Sequence, residues 1–387
     1  MQFEKINFIT QNFFYNSKVL NIDLVESGLI NKTYIVECLA NGEKFTYILQ
    51  CLSKIFESHE LVIMNHKLIT DHIKKKEKIS HLNFNKQRWE VPTLFRCNCN
   101  NLFLFPFDSH FWRAMVYIDE TITYDILEGK TMAYQVGIGL AKFHTKCSDL
   151  DSKKLGNSIK NFHNTNYYIY QFKNIIRDYN FMKLEDNIEI RVKELICNLS
   201  NHIKYVKYLL GYLKEKSINR SVIHGDPKLS NFLFDIKYKY VVSLIDLDTV
   251  SSGYLLTDLA DCLRSICNFV GEDPSRIEDV YFDIDCFKNF LKGYFSTQNI
   301  NSYSCFELLP EYIYIIIVEL TIRFLNDFLQ SNSYFRINYQ TQNLHKAEVQ
   351  FKLLSSFVSQ TPALLNSLYE LGITPNPTFI SDVQKIV

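Results

Sequence analysis

The apolar positions of this chain follow two regimes. Up to about residue 118 they alternate with polar residues or run in short stretches, as strands do. Residues 24–27 lead into a turn at Gly28-Leu29-Ile30-Asn31, residues 33–38 alternate, and residues 45–49 read as the returning strand. Asn41-Gly42 lies between the last two and is a hairpin signal, because both residue types tolerate the positive φ of a two-residue turn. Leu61, Met64, Leu68 and Ile69 recur at helical spacing, and residues 102–105 and 114–118 predict two further strands.

Beyond Asp119 the period becomes helical. Ala133, Val136, Gly137, Leu140 and Phe143 predict one helix, and segments near 167–177, 189–216, 256–268, 283–295, 311–330 and 343–360 predict others. Short strands interrupt them at 222–223, 232–234 and 241–245. The longest apolar run, 312–318, is flanked by Glu311 and Glu319 and is far shorter than the ~20 residues of a membrane span, so it predicts a buried helix. The expected fold is α+β and protein-kinase-like. A small β-rich N-terminal lobe over 1–117 would be followed by a larger helical lobe over 118–387, with a cleft between them.

Composition narrows the partners. Of 387 residues 47% are hydrophobic, as in globular proteins, and 42 basic residues balance 42 acidic ones. A net charge of zero argues against nucleic acid or an anionic membrane as a general partner. The first 25 residues carry Glu4, Lys5 and Asp23 without a continuous apolar stretch, so no secretory signal is expected. The ten cysteines are scattered and complete no zinc pattern; reduced thiols in a cytoplasmic protein are the expectation.

The chemistry concentrates in His224-Gly225-Asp226-Pro227-Lys228-Leu229-Ser230-Asn231 and in the later Ile245-Asp246-Leu247-Asp248. Phosphoryl transfer needs one carboxylate to orient the acceptor hydroxyl and take its proton, and oxygen ligands to hold magnesium against the phosphates. Asp226 and Asn231, four residues apart in between, have the spacing of a kinase base and metal ligand. Asp246 ends a strand that would return as a hairpin beside Asn231. Asp226 is therefore the candidate base, and Asn231 and Asp246 are the candidate magnesium ligands. Lys228 is either a solvated lysine or an offset to phosphate charge, and Asp248 either touches substrate or metal-bound water or serves the backbone. His224 reads as a packed histidine, and Asp258 and Asp261 as fixtures of the loop.

These residues resemble the aminoglycoside phosphotransferase and choline kinase superfamily, which shares the His-Gly-Asp-x4-Asn loop and the protein-kinase-like fold. A closer likeness is to N-acetylhexosamine 1-kinase-like phosphotransferases. It is carried by Gly28-Leu29-Ile30-Asn31-Lys32-Thr33-Tyr34, Tyr47-Ile48-Leu49-Gln50, Trp112-Arg113, Asn161-Phe162-His163, Asp246-Leu247-Asp248-Thr249-Val250, Asp258-Leu259-Ala260-Asp261 and Glu319-Leu320-Thr321-Ile322-Arg323-Phe324. The resemblance implies ATP and magnesium as cofactors, with the nucleotide between the lobes. Gly28, Asn31, Lys32, Thr33 and Gln50 would lie near it, and backbone groups around Met115 and Ile118 would meet its base. It implies a sugar acceptor phosphorylated at the anomeric hydroxyl, with Asp248, Arg264, Arg323 and Tyr334 as substrate candidates. Another small alcohol or amine (an aminoglycoside, a choline-like or a homoserine-like compound) is the alternative acceptor, and a non-catalytic nucleotide-binding protein is the third reading.

The chain departs from the wider kinase pattern. It lacks Gly-x-Gly-x-x-Gly and Ala-Pro-Glu, which argues against a protein kinase. Gln50 stands where many kinases keep a phosphate-binding lysine, so the usual lysine–glutamate pair is missing and Lys32 or Lys54 would have to supply the charge. Arg323, in an apolar helix, needs a partner, and Glu319 four residues earlier is the expected one.

Overall fold

The computed structural model describes residues 2–25, 30–40, 42–80, 87–179, 181, 184–297, 305–376 and 379. The N-terminal part is helix α1 (Gln2–Phe13), strands β1 (Lys18–Val25), β2 (Lys32–Ala40) and β3 (Glu43–Cys51), helix α2 (His59–Ser80), and strands β4 (Phe105–Phe107) and β5 (His110–Val116). The five strands form one antiparallel sheet in the order β1-β2-β3-β5-β4. Alternation along the strands gives the sheet two faces. Tyr34, Val36 and Cys38, with Tyr47, Leu49, Trp112 and Ala114, pack on Ile6, Ile9 and Phe13 of α1. On the other face Ile48 and Met115 pack with Ile63 of α2, Leu94 and Leu104.

The remainder is mainly helical. Its elements are β6 (Thr121–Ile122), α3 (Lys130–Cys147), α4 (Thr165–Asp178), α5 (Asp186–Lys214), β7 (Ser221–Ile223), β8 (Phe232–Asp235), β9 (Val241–Leu244), β10 (Ser251–Gly253), α6 (Leu255–Ile266), α7 (Ile284–Thr297), α8 (Leu309–Leu329), α9 (Gln342–Ser359) and α10 (Thr361–Glu370). Helix α8 contains the run 312–318 and is buried over almost its whole surface, as an all-round apolar helix must be. Among the described residues no helix is long and apolar enough to cross a membrane. Helices α3 and α7 approach through glycines: a Cβ on Gly137 would lie 2.1 Å from the Phe290 carbonyl, and one on Gly293 2.0 Å from the Tyr134 carbonyl.

The mixed two-part architecture agrees with the expectation, with local corrections. Helix α1 was not anticipated, and the two strands expected at 102–105 and 114–118 lie instead at 105–107 and 110–116. Helix α2 forms, but Met64 is exposed and Asn65 and His66 are buried in its place. Distant carbonyls pair with them: Asn65 donates to Gly156 and Val250, and His66 Nε2 bonds Pro92, while its Nδ1 has no hydrogen bond among the described residues. Gly28 lies outside the described residues.

Candidate active site

The catalytic loop follows β7 and turns sharply at Gly225. Its φ is +87°, and a Cβ there would meet the Thr249 carbonyl at 2.6 Å, so only glycine fits. The turn is held from below. Asp258 of α6 is fully buried, and its two oxygens accept from the His224 N–H (2.6 Å) and the Gly225 N–H (2.8 Å). His144 of α3 braces the same carboxylate at 3.0 Å. His224 is buried and bonds the Ile245 carbonyl at 2.9 Å, and burial holds its pKa below the usual value. His163 supports the turn from the other side through the Gly225 carbonyl (2.6 Å).

This frame presents Asp226, with its side chain 30% exposed at the cleft. The Asn231 amide donates to the Asp226 carbonyl (2.7 Å) and more weakly to its carboxylate (3.4 Å). The β8–β9 hairpin pairs Phe232 with Leu244, and the Ile245 N–H bonds the Asn231 carbonyl at 2.9 Å. Asp246 thus returns beside Asn231, as the equal-length hairpin requires. It adopts a left-handed backbone, φ 63° and ψ 58°, uncommon for a non-glycine residue. Burial, with Asp248 and Asp226 as like-charged neighbours, pushes the Asp246 carboxyl up to about 7. Lys228 lies 3.6 Å from Asp226; burial opposes its charge, but Asp226, Glu272 and Asp246 outweigh that and raise its pKa.

The donor set here suits a hard cation. Asn231 uses its amide nitrogen on Asp226, leaving its oxygen, and Asp246 adds a half-buried carboxylate with no ion pair of its own among the described residues. Among the described residues no three His, Cys, Asp or Glu side chains converge as a metal site. Magnesium does not need three, since it binds one or two protein ligands and takes the rest from phosphates and water.

A cleft opens beside Asp226, lined among others by Lys228, Arg264, Arg323, Phe162 and Tyr334. Arg264 contributes to the wall, but its guanidinium is spent on Asp261 (2.8 Å) and Glu272 (2.7 Å). Arg264 and Lys228 overcome the burial of Glu272 and draw its carboxyl down to about 2. Glu272 therefore does not face solvent, as paired acidic residues on a loop usually would. Arg323 is ringed by Phe162, Tyr168, Tyr334 and Phe335, with its guanidinium carbon 5.0–6.0 Å from their centroids. The expected ion pair with Glu319 forms, at the long distance of 3.9 Å, and Glu319 also bonds His163 and Thr165. Among the described residues the Arg323 guanidinium makes no hydrogen bond. Asp327 does not enter the cleft; it accepts from the Tyr334 and Phe335 N–H groups (2.7 and 3.0 Å) and so sets the ring of Tyr334.

The nucleotide-side residues separate. Asn31 is buried and donates to Asp248 (2.7 Å), while Thr33 accepts from Gln50 (2.9 Å). Lys32 is exposed and shares strand parity with Tyr34 and Val36 on the α1 face, so it cannot provide the cleft with a cation. Lys54 is exposed as well. The cleft-facing cation of the sheet is Arg113, directly across from Gln50. It also accounts for Asp248, which is 2.6 Å from Arg113, nearly inaccessible, and not part of the cleft wall. Along β5 the Val116 N–H bonds Thr93 and the Ala114 carbonyl bonds Phe95, both at 2.8 Å, so the backbone around Met115 is largely committed to the sheet. Ile118 is buried, and its carbonyl accepts from Thr121.

Known proteins share this fold. Residues 84–286 match the model of the phosphotransferase enzyme family. The whole chain is similar in fold to an aminoglycoside phosphotransferase from Alicyclobacillus acidocaldarius (12% identity, TM-score 0.57, covering 92% of this chain and 96% of that one). It is similar also to a spectinomycin phosphotransferase solved with ADP and spectinomycin (11%, 0.59, 93% and 98%). A choline kinase from Cryptosporidium parvum superimposes with 14% identity and a TM-score of 0.55, covering 97% of this chain and 99% of that one.

Proposed function

The chain belongs to the phosphotransferase enzyme family, and from that membership we propose that it is an ATP- and magnesium-dependent kinase of a neutral sugar. The acceptor would be a hexose or N-acetylhexosamine and the product its 1-phosphate. Asp226 takes the proton as the acceptor oxygen bonds to the γ-phosphorus, and the bond from that phosphorus to the β–γ bridging oxygen breaks to release ADP. Asn231 and Asp246 would hold the magnesium, which neutralises charge on the phosphates. Lys228 stands beside Asp226, where it can offset charge on the transferred group. Tyr117, the residue just beyond the committed end of β5, would offer its backbone to the nucleotide base.

The observation that carries the sugar reading is the state of charge at the acceptor end. A cationic acceptor needs a carboxylate that is still free. Apart from Asp226, the acidic side chains there are engaged: Asp261 and Glu272 by Arg264, Glu319 by His163 and Thr165. Among the described residues Arg323, 3.9 Å from Glu319, has no hydrogen bond; it would repel an amine and can donate to sugar oxygens, while Tyr334 and Phe162 offer ring faces. The anomeric position rests on the resemblance of the sequence to N-acetylhexosamine 1-kinase-like phosphotransferases. Ten cysteines, none in a disulfide, fit a cytoplasmic setting.

The test is an ATP-consumption screen over neutral sugars, amino sugars and amino alcohols, followed by phosphorus NMR of the product. Turnover of an N-acetylhexosamine with an anomeric phosphate is expected. Turnover confined to amines would overturn the sugar reading and leave the kinase assignment standing.

A further inference from the structure

Kinases of this architecture ordinarily place a lysine of the third strand against a glutamate of the adjoining helix, both within the smaller lobe. No such pair forms among the described residues: Lys44 of β3 is exposed, and of the α2 glutamates Glu60 bonds Ser58 and Glu77 pairs with Lys146. The strand offers Gln50, and the buried polar residues of α2 that face inward include Asn65 and His66. A different pair occupies the region. Arg113 donates Nε and Nη2 to the Gln50 side-chain oxygen Oε1 (2.9 and 2.6 Å) and sets Nη1 2.6 Å from Asp248 Oδ1. Arg113 is 1% exposed, so the pair is dry.

Asp248 belongs to the other part of the molecule, two residues past Asp246 on a single tight turn. Its second oxygen takes the Asn31 amide, and Asn31 in turn accepts the Ser53 N–H at 2.9 Å. The Asp248 carbonyl accepts the Ser158 hydroxyl, and the Ser158 carbonyl accepts the Glu57 N–H at 3.0 Å. Asn65 adds bonds to Gly156 (2.7 Å) and Val250 (3.1 Å). The cleft-facing elements of the sheet and α2 thus fasten onto 156–158 and 248–250, with one ion pair at the centre.

Resting on the kinase reading above, we propose that Arg113 and Asp248 are positioning residues: an interlobe latch that replaces the missing lysine–glutamate pair and fixes Asp246 opposite the nucleotide phosphates. Neither side chain touches the substrate. The latch works because a buried charge stripped of its partner is costly, which gives the lobes one preferred closure. The tight turn transmits that closure from Asp248 to Asp246.

The test compares Asp248→Asn, Arg113→Met and the double variant with the native chain. The readouts are hydrogen exchange without nucleotide, affinity for magnesium-ADP, and kcat and KM for both substrates. Each single substitution is expected to speed exchange across 156–158, 248–250 and α2, and to lower kcat of the folded protein ~10–100-fold, with acceptor KM nearly unchanged; the double variant should be no worse than the worse single, because coupled residues are not additive. Wild-type kcat and exchange in both singles, or multiplicative losses in the double, would overturn the latch. If a single variant does not fold, Asn31→Ala removes one tether without stranding a charge; a smaller loss with the same exchange signature supports the proposal, and native behaviour overturns it. A native chain that phosphorylates nothing would defeat the kinase reading, while exchange and ADP affinity would still judge the latch.

Discussion

The two ends of the cleft handle buried charge in opposite ways. At the transfer end Asp226 and Asp246 crowd together; burial with Asp248 and Asp226 forces the Asp246 carboxyl up to about 7 against the charges of Lys228 and Arg113. At the acceptor end the carboxylates are satisfied, and it is a cation, Arg323, that has aromatic rings around it and no hydrogen bond. A fold tolerates a buried charge without a close hydrogen-bonded partner where function brings the counterpart. On the proposed function the first end receives a cation and phosphates and the second receives oxygens.

Asp226→Asn should give the largest effect, because it keeps the shape and removes the base: kcat falls ~10²–10⁴-fold, the usual share of a general base, while nucleotide affinity holds. Near-native turnover in that variant would remove the transfer end from the comparison. Asp246→Asn comes next. It should lower kcat ~10²-fold and raise the magnesium requirement, as expected when a metal that stabilises the transition state by several kcal/mol is poorly held. Chelator titration measures this, and an unchanged magnesium dependence would mean that the crowded carboxylates serve another purpose.

Arg323→Gln sharpens the contrast from the acceptor end. A lost charge-assisted hydrogen bond to a sugar oxygen predicts a ~10–50-fold higher acceptor KM with nucleotide KM unchanged. Steady-state kinetics against both substrates decides it. If the variant instead prefers amines, the cation is there to exclude them, and the comparison holds with repulsion in place of attraction.

The transfer end was legible in the sequence and the lobe interface was not, for a physical reason. Asp226, Asn231 and Asp246 are joined by one loop and one hairpin, and antiparallel strands of similar length must return to their start. The misplacement of Lys32 was avoidable, since strand alternation puts it with Tyr34 and Val36, and puts Thr33 with Gln50. Arg113 and Asp248 are 135 positions apart by number, and no periodicity connects them. The buried face of α2 escaped because Asn65 and His66 are made apolar in effect by carbonyls from distant segments. Glu272 looked like a solvated acid, and only the loop after α6 folds it back onto Arg264. Polar residues buried through long-range partners are invisible to patterns that sort by hydrophobicity.

The smallest expected effect joins the two ends through His163. Its Nδ1 is 3.2 Å from Glu319 and its Nε2 is 2.6 Å from the Gly225 carbonyl, so both nitrogens face acceptors and both must donate. Burial opposes the imidazolium, but the Glu319 carboxylate outweighs burial and raises the pKa above the ordinary histidine value. The sign follows from linkage. The stabilisation is complete below the ordinary value and is lost as pH rises through the raised native one. Once the proton leaves, one nitrogen carries a lone pair toward an acceptor, and either Glu319 or the turn before Asp226 loses its brace. Melting temperature and kcat should therefore fall together on the alkaline side, and His163→Gln should flatten that limb in both profiles. An alkaline limb that survives the substitution would assign the titration to another group and leave the two ends of the cleft uncoupled.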